Sequence, residues 1–182
     1  ELALFQQGVC FYKLNYTSEA QQNFKKLLEN NPDHYNSKYY LALINYENEK
    51  FSESIPLFLD LLQYDSKNYE LYNYLGDSYL KTNNLKLALA SYRQSLKLNT
   101  YDANIYYQIG LIYENLLNIE EAIKNYNQAI NMDDNNKDLI YRLGMILYQD
   151  GQYKKSLEYL RRHLLYQPKD IEVIKILANL LY

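Results

Sequence analysis

Residues 69–102 read YELYNYLGDSYLKTNNLKLALASYRQSLKLNTYD, and this stretch decides the fold. Gly76 is followed twelve residues later by Ala88, and four residues beyond that by Tyr92. The same triple runs through the chain at an interval of 34 residues. Gly8, Ala42, Gly76, Gly110 and Gly144 form the first series, with Ala178 as a sixth member. Ala20, Ser54, Ala88, Ala122 and Ser156 form the second, and Phe24, Phe58, Tyr92, Tyr126 and Leu160 the third. Three interleaved series at one period describe a helix hairpin repeated five times, with one further helix. The first small residue is expected to let a partner backbone approach. The second is its counterpart on the paired helix, and the large side chain fills the space beside them.

Boundary residues agree. Asn68, Asp102, Asn136 and Asp170 stand just before first helices, where a short side-chain oxygen accepts from exposed backbone N–H groups. Ser18 with Gln21 fits a capping box. Ser52, Asn84, Asn118 and Gly151 fall in the other short turns, and Pro32 and Pro168 close second helices. Pro56 falls near a first turn, where its missing N–H costs little, with a local distortion expected.

The quoted stretch resembles the tetratricopeptide repeat family, with Tyr72, Leu75-Gly76, Tyr79, Ala88 and Tyr92 on the family pattern. Tyr106, Ile109-Gly110, Tyr113, Ala122, Tyr126 and Ala129 repeat it, and Leu143-Gly144 with Pro168 continue it. The second repeat departs most, with Leu41-Ala42, Asn45, Ser54 and Phe58. The resemblance implies an all-α, right-handed α-solenoid of helix-turn-helix units forming a single array. Its repeats would be 1–34, 35–68, 69–102, 103–136 and 137–170, with the first helix of a sixth at 171–182.

It also implies function: a concave surface, lined by first helices, that binds a partner peptide or helix. The groove positions are Tyr39, Leu43, Tyr46, Asn73, Asp77, Tyr107, Leu111, Tyr141, Arg142, Met145 and Tyr148. Tyrosine suits such a surface through its large rigid ring and polar tip, although the family favours it there whatever is bound. The family's clamp for chaperone-tail carboxylates is not expected. Arg142 alone matches it, and Asp77 and Asp138 stand where a bound carboxylate needs donors.

Composition narrows the classes. Nineteen Lys and Arg against 22 Asp and Glu give a net charge of -3, which argues against a nucleic-acid partner. Residues 137–170 are locally basic (Arg142, Lys154, Lys155, Arg161, Arg162), and such charges are more often a solvated helix face. The 23 tyrosines also fit AT-rich coding. His34 and His163 form no metal-ligating pair, and no phosphate-cradling loop or cofactor motif is present, so the chain is expected not to be an enzyme. His163 reads as a packed, hydrogen-bonded helix residue, and Cys10 as buried filler beside Val9 and Phe11. No apolar run reaches membrane-spanning length. A soluble domain is expected, cytoplasmic by default, or periplasmic or membrane-tethered if a signal was removed. The start at Glu1 reads as a piece of a longer or processed chain.

The helix 171–182 is apolar on most sides, through Ile171, Val173, Ile174, Ile176, Leu177, Leu180, Leu181 and Tyr182. It predicts continuation of the array, self-association, or packing on another partner. The leading functional reading is a protein-interaction scaffold or adaptor. The rivals are the recognition module of a larger enzyme and a bacterial cell-envelope assembly factor.

Overall fold

The computed structural model describes residues 1–181, with Leu181 by its backbone alone. Among them run α1 (Leu2–Lys13), α2 (Thr17–Asn30), α3 (Tyr35–Glu47), α4 (Phe51–Tyr64), α5 (Tyr69–Lys81), α6 (Leu85–Leu98), α7 (Ala103–Asn115), α8 (Ile119–Met132), α9 (Lys137–Gln149), α10 (Tyr153–Tyr166) and α11 (Ile171–Leu181). No strand occurs among the described residues. The chain forms two compact units, Glu1–Asn99 and Thr100–Tyr182. In the first, α1 pairs with α2, α3 with α4 and α5 with α6, while α2 packs on α3 and α4 on α5. In the second, α7 pairs with α8 and α9 with α10, while α8 packs on α9 and α10 on α11.

First helices start on side-chain caps. The Asn68, Asp102, Asn136 and Asp170 oxygens accept from the N–H groups of Leu71, Ile105, Leu139 and Val173 at 3.0–3.3 Å. The His34 Nδ1 does the same for Ser37 at 3.2 Å, a role its position between repeats did not announce. Second helices begin differently. Tyr16 N–H donates to the Phe11 carbonyl at 2.9 Å, and the pairs Lys50–Asn45, Asn84–Tyr79, Asn118–Tyr113 and Gln152–Leu147 repeat that bond. These are Schellman closures, and the residue inside each turn is left-handed: Asn15, Glu49, Asn83, Leu117 and Gly151, at φ 57° to 76°. The closure starts α2 at Thr17 and α4 at Phe51, so Ser18 and Ser52 lie inside helices and not at caps or in turns. The capping box expected at Ser18 and Gln21 is absent. Gln21 instead donates to Asn45 Oδ1 at 3.1 Å. Asn118 alone among the second-helix starts caps through its side chain, to Glu121 N–H.

Leu117 sits in that left-handed turn at φ 57° with 84% of its surface exposed. A β-carbon there is strained and its side chain packs on little. Leu117→Gly is therefore expected to raise the thermal midpoint, by about 1 kcal/mol of stability. An unchanged or lower midpoint in thermal unfolding contradicts the turn assignment.

Pro56 is the sixth residue of α4, just past the first turn, so the Ser52 carbonyl loses its helical donor. The helix nevertheless runs unbroken through it.

The glycine series also has a different cause from the one expected. A Cβ at Gly76 would fall 2.3 Å from the Tyr92 ring, at Gly110 2.4 Å from the Tyr126 ring, and at Gly144 2.5 Å from Leu160. The large residue sixteen positions on lies directly over the glycine. The approach is mainly side chain on backbone. In the last pair Ser156 Oγ also donates to the Gly144 carbonyl at 2.8 Å.

The fully buried Phe24 and Phe58 bind successive repeats of the first unit together. Phe24 stacks on Tyr40 with centroids 5.2 Å apart at 9°, and Phe58 on Tyr74 at 5.2 Å and 8°. Each ring thus joins a second helix to the first helix of the following repeat, as expected where one hairpin cannot bury both faces. In the second unit Leu160, Val173 and Leu177 form the matching cluster with Tyr141 and Met145 against it.

Helix α11 buries Val173 and Leu177 there, with Ile176 partly covered, but leaves Ile171 and Ile174 exposed. Ala178 is exposed too, whereas Gly8, Ala42, Gly76, Gly110 and Gly144 are all buried. The expected contributions of Tyr182 and the Leu181 side chain lie outside the described residues. Cys10, expected to be buried, is exposed. Its counterpart Ile44 is covered by Ala20 and Phe24 from α2, and among the described residues no helix precedes α1.

Candidate partner-binding surface

In the first unit the first helices meet through tyrosine. Tyr46 on α3 donates to Asp77 Oδ2 on α5 at 2.8 Å, and Tyr92 on α6 donates to Asp77 Oδ1 at 2.6 Å. One carboxylate therefore fixes two phenols from two repeats, through bonds stronger than those between neutral groups. Tyr12 on α1 donates to Glu47 on α3. The Tyr46 and Tyr74 rings meet edge-on with centroids 5.0 Å apart. Burial, then the neighbouring Tyr74 and Glu70, push the Tyr39 phenol up to about 12. Burial, then Asp77, pushes Tyr46 and Tyr92 higher still, so these phenols stay neutral donors at physiological pH.

Of the expected groove residues here, Tyr39, Tyr46 and Asp77 come together around Tyr74. Asn73, one turn before Asp77 on α5, is partly exposed. Leu43 has 8% of its surface exposed and belongs to the core around Phe58. It can offer a partner little.

The second unit has a charged counterpart. Arg142 Nε donates to Asp138 Oδ2 at 2.9 Å and to the Tyr107 hydroxyl at 3.2 Å, and its Nη1 lies 3.5 Å from Glu114 Oε2. Tyr107 itself donates to Asp138, and Tyr126 to Glu114. Burial alone would raise Asp138, but the bonds from Tyr107 and Arg142 outweigh it and hold its carboxyl below the usual range. Arg142 is already shared by two carboxylates. An incoming carboxylate would meet both of them.

Tyr141 packs on His163 with centroids 4.8 Å apart. His163 is buried, and its Nε2 is 3.0 Å from Asp170 Oδ2, the packed and bonded role expected of it. Met145 packs on the Leu160 cluster, Tyr148 meets Tyr153 at 5.8 Å, and Leu111 is partly exposed. Tyr74 was not among the expected groove residues, and Glu47 and Glu70 were not named although they stand at positions the family turns to the groove. Their positions in the 34-residue register, sixth, thirteenth and second, were the available signal.

Tetratricopeptide repeat models match residues 5–63, 76–116 and 118–180. The chain belongs to the tetratricopeptide repeat family. Tetratricopeptide repeat proteins are in general protein-interaction scaffolds, and typically non-catalytic ones. The fold is similar to that of MamA from Desulfovibrio magneticus RS-1, at a TM-score of 0.80 and 18% identity, covering 92% of this chain and 96% of that one. It is similar to YrrB, described as a TPR protein with an unusual peptide-binding site, at 0.79 and 22%, covering 94% and 89%. A tetratricopeptide repeat protein from Parabacteroides merdae ATCC 43184 matches at 0.79 and 18%, covering 98% of this chain and 71% of that one. These likenesses show the α-solenoid class of the tetratricopeptide repeat. No curated protein matches the sequence significantly. Among the described residues, no helix is long and apolar enough to cross a membrane.

Proposed function

We propose that this chain is an interaction module that holds a peptide or helix of another protein against the tyrosine-bearing faces of its first helices. The contact residues are Tyr39, Tyr46, Asn73 and Asp77 in the first unit. In the second they are Tyr107, Leu111, Tyr141, Arg142, Met145 and Tyr148. One observation carries the reading: the phenols are ordered before any partner arrives. Tyr46 is tied to Asp77, and Tyr107 to Asp138 and Arg142. A rigid aromatic surface loses little side-chain entropy on binding, which favours contact there. Peptide binding by YrrB is compatible with the same use of the fold.

The test is affinity capture with mass spectrometry, comparing wild type with Tyr107→Ala/Tyr141→Ala. The double variant is expected to keep its helicity and lose the partner by roughly tenfold or more, as anchor aromatics do. Retention of the partner by the folded variant removes the second unit's tyrosine face from the contact, and retention also by Tyr39→Ala/Tyr46→Ala moves it to the second helices or to α11.

A further inference from the structure

The 34-residue register makes the two tyrosine faces comparable position by position. Tyr107, Asp138 and Arg142 lie two repeats beyond Tyr39, Glu70 and Tyr74. In the second unit the phenol and the carboxylate hold a guanidinium between them, at 3.2 Å and 2.9 Å. In the first unit the phenol and the carboxylate recur, but the arginine position is taken by Tyr74.

Resting on the interaction reading above, we propose that the Tyr39–Tyr46–Tyr74 face of α3 and α5 receives an arginine side chain from the partner segment. The charges on this face suit it. Glu47 and Glu70 are exposed, Asp77 is half-buried, and none of the three is in an ion pair among the described residues. Lys13 and Lys81, in the last turns of α1 and α5, pair with none of them. Burial, then Glu70, Glu47 and Asp77, raises the Tyr74 phenol, so all three carboxylates act on one ring. Tyr46, which donates to Asp77, keeps an electron-rich ring, against which a guanidinium stacks well.

The chain shows the same chemistry with a cation of its own elsewhere. Lys38 pairs with Asp60 and Asp33 and lies 5.5 Å from the centroid of the Tyr64 ring. At the α3–α5 face the rings and carboxylates are present and the cation is left to the partner.

The probe is a blocked Arg-Gly-Arg peptide, with Glu-Gly-Glu and Gln-Gly-Gln peptides as controls, titrated into the full chain and followed by NMR of the tyrosine rings. The arginine peptide is expected to shift Tyr39 and Tyr74. Glu47→Gln/Glu70→Gln should weaken it at least fivefold. Glu19→Gln/Glu53→Gln removes the same charge from α2 and α4 and should leave it unchanged. Equal weakening by both pairs, no arginine binding at this face, or self-association that occupies it overturns the inference. If Gln-Gly-Gln shifts the same rings as strongly, the cation preference fails while the groove reading stands. Shifts confined to second helices bring down both.

Discussion

Phe58→Ala is expected to cost about 3–5 kcal/mol, the largest effect of any single truncation considered for this chain. Phe58 is fully buried, stacks on Tyr74, and meets Tyr46 at 6.4 Å. Its ring joins α4 to both α3 and α5, so truncation removes the contact between two successive repeats. The small Ala42 beside it offers nothing to fill the cavity. Tyr74 would lose its stacking partner, and the face it shares with Tyr39 and Tyr46 would loosen. Urea denaturation checks this, with Leu59→Ala as control: Leu59 is next in sequence but 45% exposed. Similar midpoints for the two variants would mean that Phe58 does not bridge the repeats.

Gly110→Leu is expected to cost roughly 3 kcal/mol, at the upper end for overpacking. A Cβ already falls 2.4 Å from Tyr126, before any further atoms are added. Tyr126 cannot easily yield, because it is fully buried and its hydroxyl is held by Glu114. Gly110→Ala separates packing from propensity. Helix propensity favours alanine by about 1 kcal/mol, so an uncrowded site would be stabilised. A lower melting temperature for both variants supports the ring-over-glycine packing, and a rise for alanine refutes it.

The period and the first-helix caps were legible because they depend on residue type at fixed spacing. A short polar side chain at Asn68, Asp102, Asn136 or Asp170 has one obvious use there. The left-handed turns were not legible. Asn83 and Gly151 suit that conformation, but Glu49 and Leu117 occupy the same register and hide it. The expected cap at Ser18 failed for a related reason: the backbone closure from Tyr16 to Phe11 starts the helix before the serine. Cys10 misled because burial at its register position depends on a preceding helix, not on its own type.

The binding surface was half legible. Register placed Tyr39, Tyr46 and Tyr107 on first helices, but it could not say where each hydroxyl points. Asp77 read as an acid standing where a carboxylate clamp needs a donor, and in the structure it anchors Tyr46 and Tyr92. Arg142 read as the one match to a carboxylate clamp, and it is shared between Asp138 and Glu114. Side-chain bonds across repeats depend on geometry that spacing alone does not contain.

Tyrosines on both kinds of helix make the central claim directly measurable. Tyr39, Tyr46, Tyr107, Tyr141 and Tyr148 mark first helices, while the exposed Tyr64, Tyr153 and Tyr166 mark second helices. Ring signals of the full chain, labelled at tyrosine, are followed by NMR as the partner captured by the wild-type protein is added. Shifts concentrated on the first-helix set are the expected result. Shifts concentrated on Tyr64, Tyr153 and Tyr166, with the first-helix rings unmoved, would contradict it.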